Sequence, residues 1–149
     1  MLNVDVSVLP RHCLLMHPIL LLAINFLREH VTDVRAIYRF GSWGTPDMHP
    51  SSDLDLAFLT IKSLPPEQVW TLAQDLAMRV GCDVDLIDLR AQSTEMRMQV
   101  ISTGERVWCG DFDTTEMFED FVYSDYVDFS ERRRGILDDI RERGSVYGK

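Results

Sequence analysis

The sequence lacks a hydrophobic run long enough to cross a bilayer. Its longest apolar stretch, Ile19 to Leu27, is interrupted by Asn25 and preceded by Pro18. That is well short of the roughly 20 residues a transmembrane helix needs, so a buried helix is expected there and no membrane association. Cysteine is scarce: Cys13, Cys82 and Cys109 are an odd number without paired spacing, which supports neither a disulfide framework nor a cysteine-rich zinc site. The opening residues Met1-Leu2-Asn3-Val4-Asp5 carry neither a basic segment nor a small-residue cleavage site. A cytoplasmic protein with reduced thiols is expected. Basic residues are outnumbered, 15 Lys and Arg against 24 Asp and Glu for a net charge of −9, and such a surface cannot displace the counterions of a nucleic-acid backbone. Direct nucleic-acid binding is therefore not expected, whereas a basic protein partner is compatible. Low-complexity tracts, repeats and flexible linkers are missing as well, so residues 1–149, 46% of them hydrophobic, are expected to share one domain.

What is present alternates between helical and extended patterning. Apolar residues from about Met16 to Val31 recur at helical spacing. Val34 to Phe40 alternates as a strand and stops at Gly41. Asp53 to Thr60 reads as a second strand, and Pro65-Pro66-Glu67 opens a helix that runs to about Val80 and ends at Gly81. Asp83 to Leu89 resumes strand alternation, Ser93 caps a short helix closing at Gly104, and Arg106 to Cys109 forms a further strand. Asp113 and Glu116 suit a capping box for a helical region reaching about Arg143. The mixture predicts an α+β fold, a short mixed sheet packed with helices and extended by C-terminal helices over about 113–149.

The chemically informative pattern is Gly41-Ser42, ten intervening residues, then Asp53-Leu54-Asp55, with Val84-Asp85-Leu86-Ile87 thirty positions further on. Residues i and i+2 of a strand leave the same face, so Asp53 and Asp55 can converge on one hard cation while Leu54, Leu56 and Phe58 enter the core. Asp85 sits in the same apolar setting on another strand, within reach if the strands are neighbours. Three carboxylates can seat two magnesium ions, a site that stabilises the attacking and leaving oxygens of a displacement at phosphorus. Asp85 is the candidate to accept the nucleophile's proton. Gly41 permits close backbone approach to a phosphate, and the Ser42 hydroxyl and nearby N–H groups can bind it, with Gly44 extending the cradle. Singly, a Gly-Ser turn or an acidic strand end is ordinary; their joint spacing is the signal.

This combination resembles the polymerase β-like nucleotidyltransferases, in particular their minimal branch. The stretch from Glu119-Asp120-Phe121 through Tyr126-Val127-Asp128-Phe129 to Gly148 is similar to the tail of antitoxins of HEPN–nucleotidyltransferase modules. The resemblance implies an antitoxin that binds a helical HEPN ribonuclease and transfers AMP from ATP to a toxin tyrosine, with Gly41 and Ser42 on the nucleotide phosphates, Asp53 and Asp55 on magnesium, and Asp85 completing the site. Two other readings stay open: a binding-only antitoxin with vestigial acids, and an adenylyltransferase acting on a small hydroxylated molecule. Where many relatives follow Gly-Ser with an Ala-Arg-Gly turn, this chain has Trp43-Gly44-Thr45, and Arg39 or His49 are candidates for the missing positive charge.

The remaining motifs read as structural. Asp83 shares a face with Asp85 and is a reserve ligand, whereas Asp88 should face away. His12, His17 and His30 do not share a helix face suited to a metal, and Arg11-His12 is too close to match a HEPN nuclease motif. Arg132, Arg133 and Arg134 are a solvated run or a docking point. Phe118, Phe121, Tyr126 and Phe129 either bury the C-terminal region on the domain or present a partner surface.

Overall fold

Helix α1, Pro18–His30, starts on a proline whose missing N–H costs nothing in a first turn and buries Leu20, Ala23, Ile24 and Leu27. The computed structural model describes residues 18–49 and 52–143. The expected beginning of this helix at Met16, together with Arg11, His12, Cys13 and His17, lies outside the described residues, as does the tail beyond Arg143. His30 plays a structural part: its Nδ1 meets the Phe26 carbonyl at 2.9 Å and its ring stacks on Phe26.

Strand β1, Ala36–Phe40, leads to a loop, and β2, Leu54–Leu59, returns beside it. Helix α2, Pro66–Val80, opens on its proline and closes at Gly81, whose φ of 76° is the left-handed conformation that glycine tolerates. It supplies the crossover that a parallel pair requires, and β3, Val84–Asp88, then pairs parallel with β2. Next come a single 3-10 turn over Leu89–Ala91, helix α3 over Thr94–Thr103, strand β4 over Glu105–Cys109 and helix α4 over Phe112–Arg143. Ser93 caps α3 through the Met96 N–H, as its position predicts. The sheet order is β3-β2-β1-β4, with β1 antiparallel to both β2 and β4.

Alternation along the strands divides the core. Ile37, Leu54, Leu56 and Phe58 join α1 and α2 on one face, while Ala36, Tyr38, Ala57 and Leu59 meet Val100 of α3 and Phe118 and Val122 of α4 on the other. Each of these side chains except Phe118 is at most 1% exposed, so a register slip of one residue would expose a whole core face.

Two expectations about the C-terminal region need correction. The expected set of C-terminal helices is one continuous helix of 32 residues. Its N-cap is Asp111 and not Asp113: the Asp111 Oδ1 accepts from the Thr114 N–H at 3.1 Å, and Glu116 bonds Arg106 instead of closing a capping box. Phe118 and Val122 bury the first turns, whereas Phe121, Val127 and Ile136 are exposed. Arg106 bridges Glu116 and Glu119 at 2.9 and 2.8 Å, and the buried Tyr38 hydroxyl donates to Glu119, so the helix is tied to the sheet by a polar network as well as by packing. Among the described residues no helix is long and apolar enough to cross a membrane.

Candidate active site

Parallel pairing sets Asp55 directly against Asp85 in the β2–β3 register, about 4.8 Å apart at the backbone. Asp53 immediately precedes β2, so its side chain leaves the same face as Asp55. On the other flank Phe40 is the register partner of Asp55, which delivers the next residue, Gly41, to the same end of the sheet. The approach is close: a Cβ at Gly41 would stand 2.0 Å from the Asp55 Oδ2, and the residue has φ +71°. Glycine is needed here both for that conformation and for that space.

Asp55 bears the electrostatic consequence. Burial first, then the charges of Asp85 and Asp53, push its carboxyl up to about 6 from 3.8, with Arg39 opposing weakly. Among the described residues no three His, Cys, Asp or Glu side chains close on a point that would hold a metal ion. The two findings are compatible, because charges interact over several ångströms whereas magnesium ligands stand about 2.1 Å from the ion. The set consists wholly of carboxylate oxygens, which fits a hard divalent cation, and such a cation removes the repulsion now carried by Asp55.

Asp88, expected to face away, has a structural task of its own. Asp88 is 2% exposed and accepts from the Arg90 N–H at 3.1 Å and the Leu64 N–H at 2.7 Å, so it caps the turn after β3. Asp83 lies just before β3, and its carbonyl accepts from the Leu54 N–H at 2.9 Å.

The loop after β1 is held by residues that the sequence pattern did not single out for that purpose. Trp43 is 4% exposed and belongs to the core on the α1–α2 side, so the departure from the Ala-Arg-Gly turn places a hydrophobic anchor at the alanine position, and Gly44 stands where the charge was expected. The Ser42 hydroxyl is 3.2 Å from that of Ser52, which also accepts from the His49 N–H at 2.9 Å. The Thr45 hydroxyl donates to the Ser42 carbonyl at 2.5 Å. Neither candidate for the missing charge stands in for it simply: His49 is exposed, and Arg39 is buried, with its guanidinium directed to loop carbonyls.

A mixed sheet that brings a Gly-Ser turn and two register-paired carboxylates to one end is the scaffold of a nucleotidyltransferase. Residues 23–113 match the family described as polymerase beta, nucleotidyltransferase, and the chain belongs to it. It is 37% identical over 117 residues to the protein adenylyltransferase MntA of Shewanella oneidensis, an alignment covering 78% of this chain and 84% of that one. A crystal structure of a toxin-antitoxin with AMP-PNP superposes at a TM-score of 0.72 and 36% identity over 80% of this chain and 96% of the other. An MNT antitoxin solved in complex with a tri-AMPylated Shewanella oneidensis HEPN toxin superposes at 0.68 and 34% identity, over 83% and 98% of the two chains.

Proposed function

We propose that this nucleotidyltransferase is an antitoxin that transfers AMP from ATP to a tyrosine hydroxyl of a HEPN-family toxin. The single observation that carries the reading is the Asp55–Asp85 register beside Asp53 and the Gly41-Ser42 turn. The likeness to a protein adenylyltransferase over most of both chains supports the donor and the target class. Asp53, Asp55 and Asp85 would hold two magnesium ions, which when bound neutralise charge on the triphosphate and ease in-line displacement. Gly41 and Ser42 bind phosphate oxygens through the backbone and the hydroxyl. Asp85 takes the tyrosine proton as the phenolic oxygen bonds to the α-phosphorus; the bond from that phosphorus to the bridging oxygen breaks, and pyrophosphate leaves. The cytoplasm, where ATP is available, is the proposed location.

Residues 1–149 act in this reading as one domain, with the part of α4 beyond Val122 as a toxin contact. Support comes from the end of the family match at residue 113 and from Val127 and Ile136, 52% and 62% exposed on that helix.

Intact-mass spectrometry of the cognate HEPN toxin, after incubation with this chain, ATP and Mg²⁺, tests the proposal. Wild type should add whole AMP units, and the Asp53→Ala/Asp55→Ala variant none. A toxin that stays unmodified yet tightly bound would overturn AMP transfer in favour of neutralisation by binding alone.

A further inference from the structure

Arg39 lies at the end of β1, 7% exposed, directly beneath the turn that follows. Its Nη1 donates to the carbonyl oxygens of Gly41 at 3.2 Å and Trp43 at 2.7 Å. Its Nη2 stands 3.7 Å from Glu105, its cross-strand neighbour on β4, so the buried charge is balanced from the side away from the loop. Burying a guanidinium is costly unless its donors are engaged, and here they are spent on two carbonyls one residue apart in the phosphate turn. A planar fork lets Nη1 hold both carbonyls while Nη2 faces Glu105, a division that the single nitrogen of an ammonium cannot make.

A trans peptide points its N–H opposite to its carbonyl. With the Gly41 carbonyl turned onto Arg39, the N–H of Ser42 faces away from the guanidinium; with the Trp43 carbonyl likewise engaged, so does the N–H of Gly44. Gly41 and Gly44 both have positive φ, 71° and 78°, and left-handed residues interleaved with ordinary ones shape backbone N–H groups into anion-binding concavities. The outward Gly44 N–H meets the thioether sulfur of Met48 at 3.2 Å, a weak acceptor that a phosphate oxygen would readily displace.

We propose that Arg39 is a positioning residue for the nucleotide: by holding the Gly41 and Trp43 carbonyls inward it presents the Ser42 and Gly44 amides to the triphosphate, with the Met48 sulfur occupying a phosphate-oxygen position until the donor arrives. The positive charge missing from the turn thus acts from below, through the backbone, and not by touching the ligand. Trp43 anchors the same turn in the core. This inference rests on the proposed nucleotide site, and its test separates the two.

The experiment is an amide NMR titration of the nitrogen-labelled full chain with AMP-PNP and Mg²⁺, for wild type, Arg39→Met and Arg39→Lys. In wild type the Ser42 and Gly44 amides should be among those that shift. Arg39→Met should keep a dispersed spectrum and bind about tenfold to a hundredfold more weakly, the range for losing well-placed donors to a charged group. Arg39→Lys should fall between, since its single nitrogen must serve the two carbonyls and Glu105 together. Wild-type affinity in Arg39→Met, or unmoved Ser42 and Gly44 amides in saturated wild type, overturns the positioning role while leaving the nucleotide site standing. Absence of binding by wild type overturns the site and the positioning role together. Should Arg39→Met lose its dispersed spectrum, Arg39→Lys decides: weaker binding in an otherwise unchanged spectrum supports the role, and undiminished binding refutes it.

Discussion

Replacing Asp55 with Asn should make the metal-free protein more stable while abolishing nucleotidyl transfer. The carboxyl of Asp55 is pushed up to about 6 from 3.8 by burial and by the charges of Asp85 and Asp53. Folding therefore opposes ionisation at this position. Below the unfolded value both states are protonated and nothing is lost; as pH rises through the interval between the two values the penalty grows, and above about 6 it is complete. Unscreened, that interval corresponds to about 3 kcal/mol. The side chain is half-buried, and solvent screening reduces the effect to on the order of 1 kcal/mol. For a chain of this size that is about 2–4 °C in melting temperature. Asparagine has nearly the same shape and no charge to repel, so in EDTA near pH 8 the Asp55→Asn chain should melt higher than wild type by that amount. The gap should narrow by about half near pH 5. Millimolar Mg²⁺ should close it by raising the wild type alone, since the variant lacks a carboxylate proposed to bind the ion. Differential scanning calorimetry at the two pH values, with and without Mg²⁺, reads all three effects. A variant that melts below wild type in EDTA at pH 8, or a gap that does not change with pH, would refute the reasoning.

Two further substitutions test the turn. Gly41→Ala forces a Cβ onto the Asp55 carboxylate and a side chain into positive φ, so it should cost about 1–2 kcal/mol of stability and, by moving a carboxylate proposed to bind metal, at least a hundredfold in transfer rate; rates near wild type would argue against the close approach. Trp43→Ala removes a core side chain and should lower unfolding free energy by about 3–5 kcal/mol in urea titrations, whereas an effect below 1 kcal/mol would mean that the indole does not anchor the loop.

The order of elements and most of their ends can be read in the linear chain because their causes are local. Proline at a first turn, glycine at a C-terminus and the Ser93 cap each act within a few residues, and the corresponding helices begin and end where those residues lie. The α4 cap was less legible, because Asp111 and Asp113 both offer a carboxylate near the start and only the backbone path chooses between them. Likewise Phe118 and Phe121 look equivalent in sequence, yet one is buried and the other exposed, since which face of a helix meets the sheet depends on how the helix is docked.

The sequence by itself marked Gly41-Ser42 and Asp53-Leu54-Asp55 as one candidate phosphate-transfer pattern, because ten residues separate them within a single connection between two expected strands. Tertiary structure decided the rest. Asp85 reaches Asp55 only because α2 carries the chain across to a parallel neighbour in that register, and Arg39, which looks like a surface charge on a short strand, is buried under the turn by the pairing of β1 with β4. The physical reason is range: spacing constrains groups within one turn of chain, whereas contacts between distant segments are set by how complete core faces fit together.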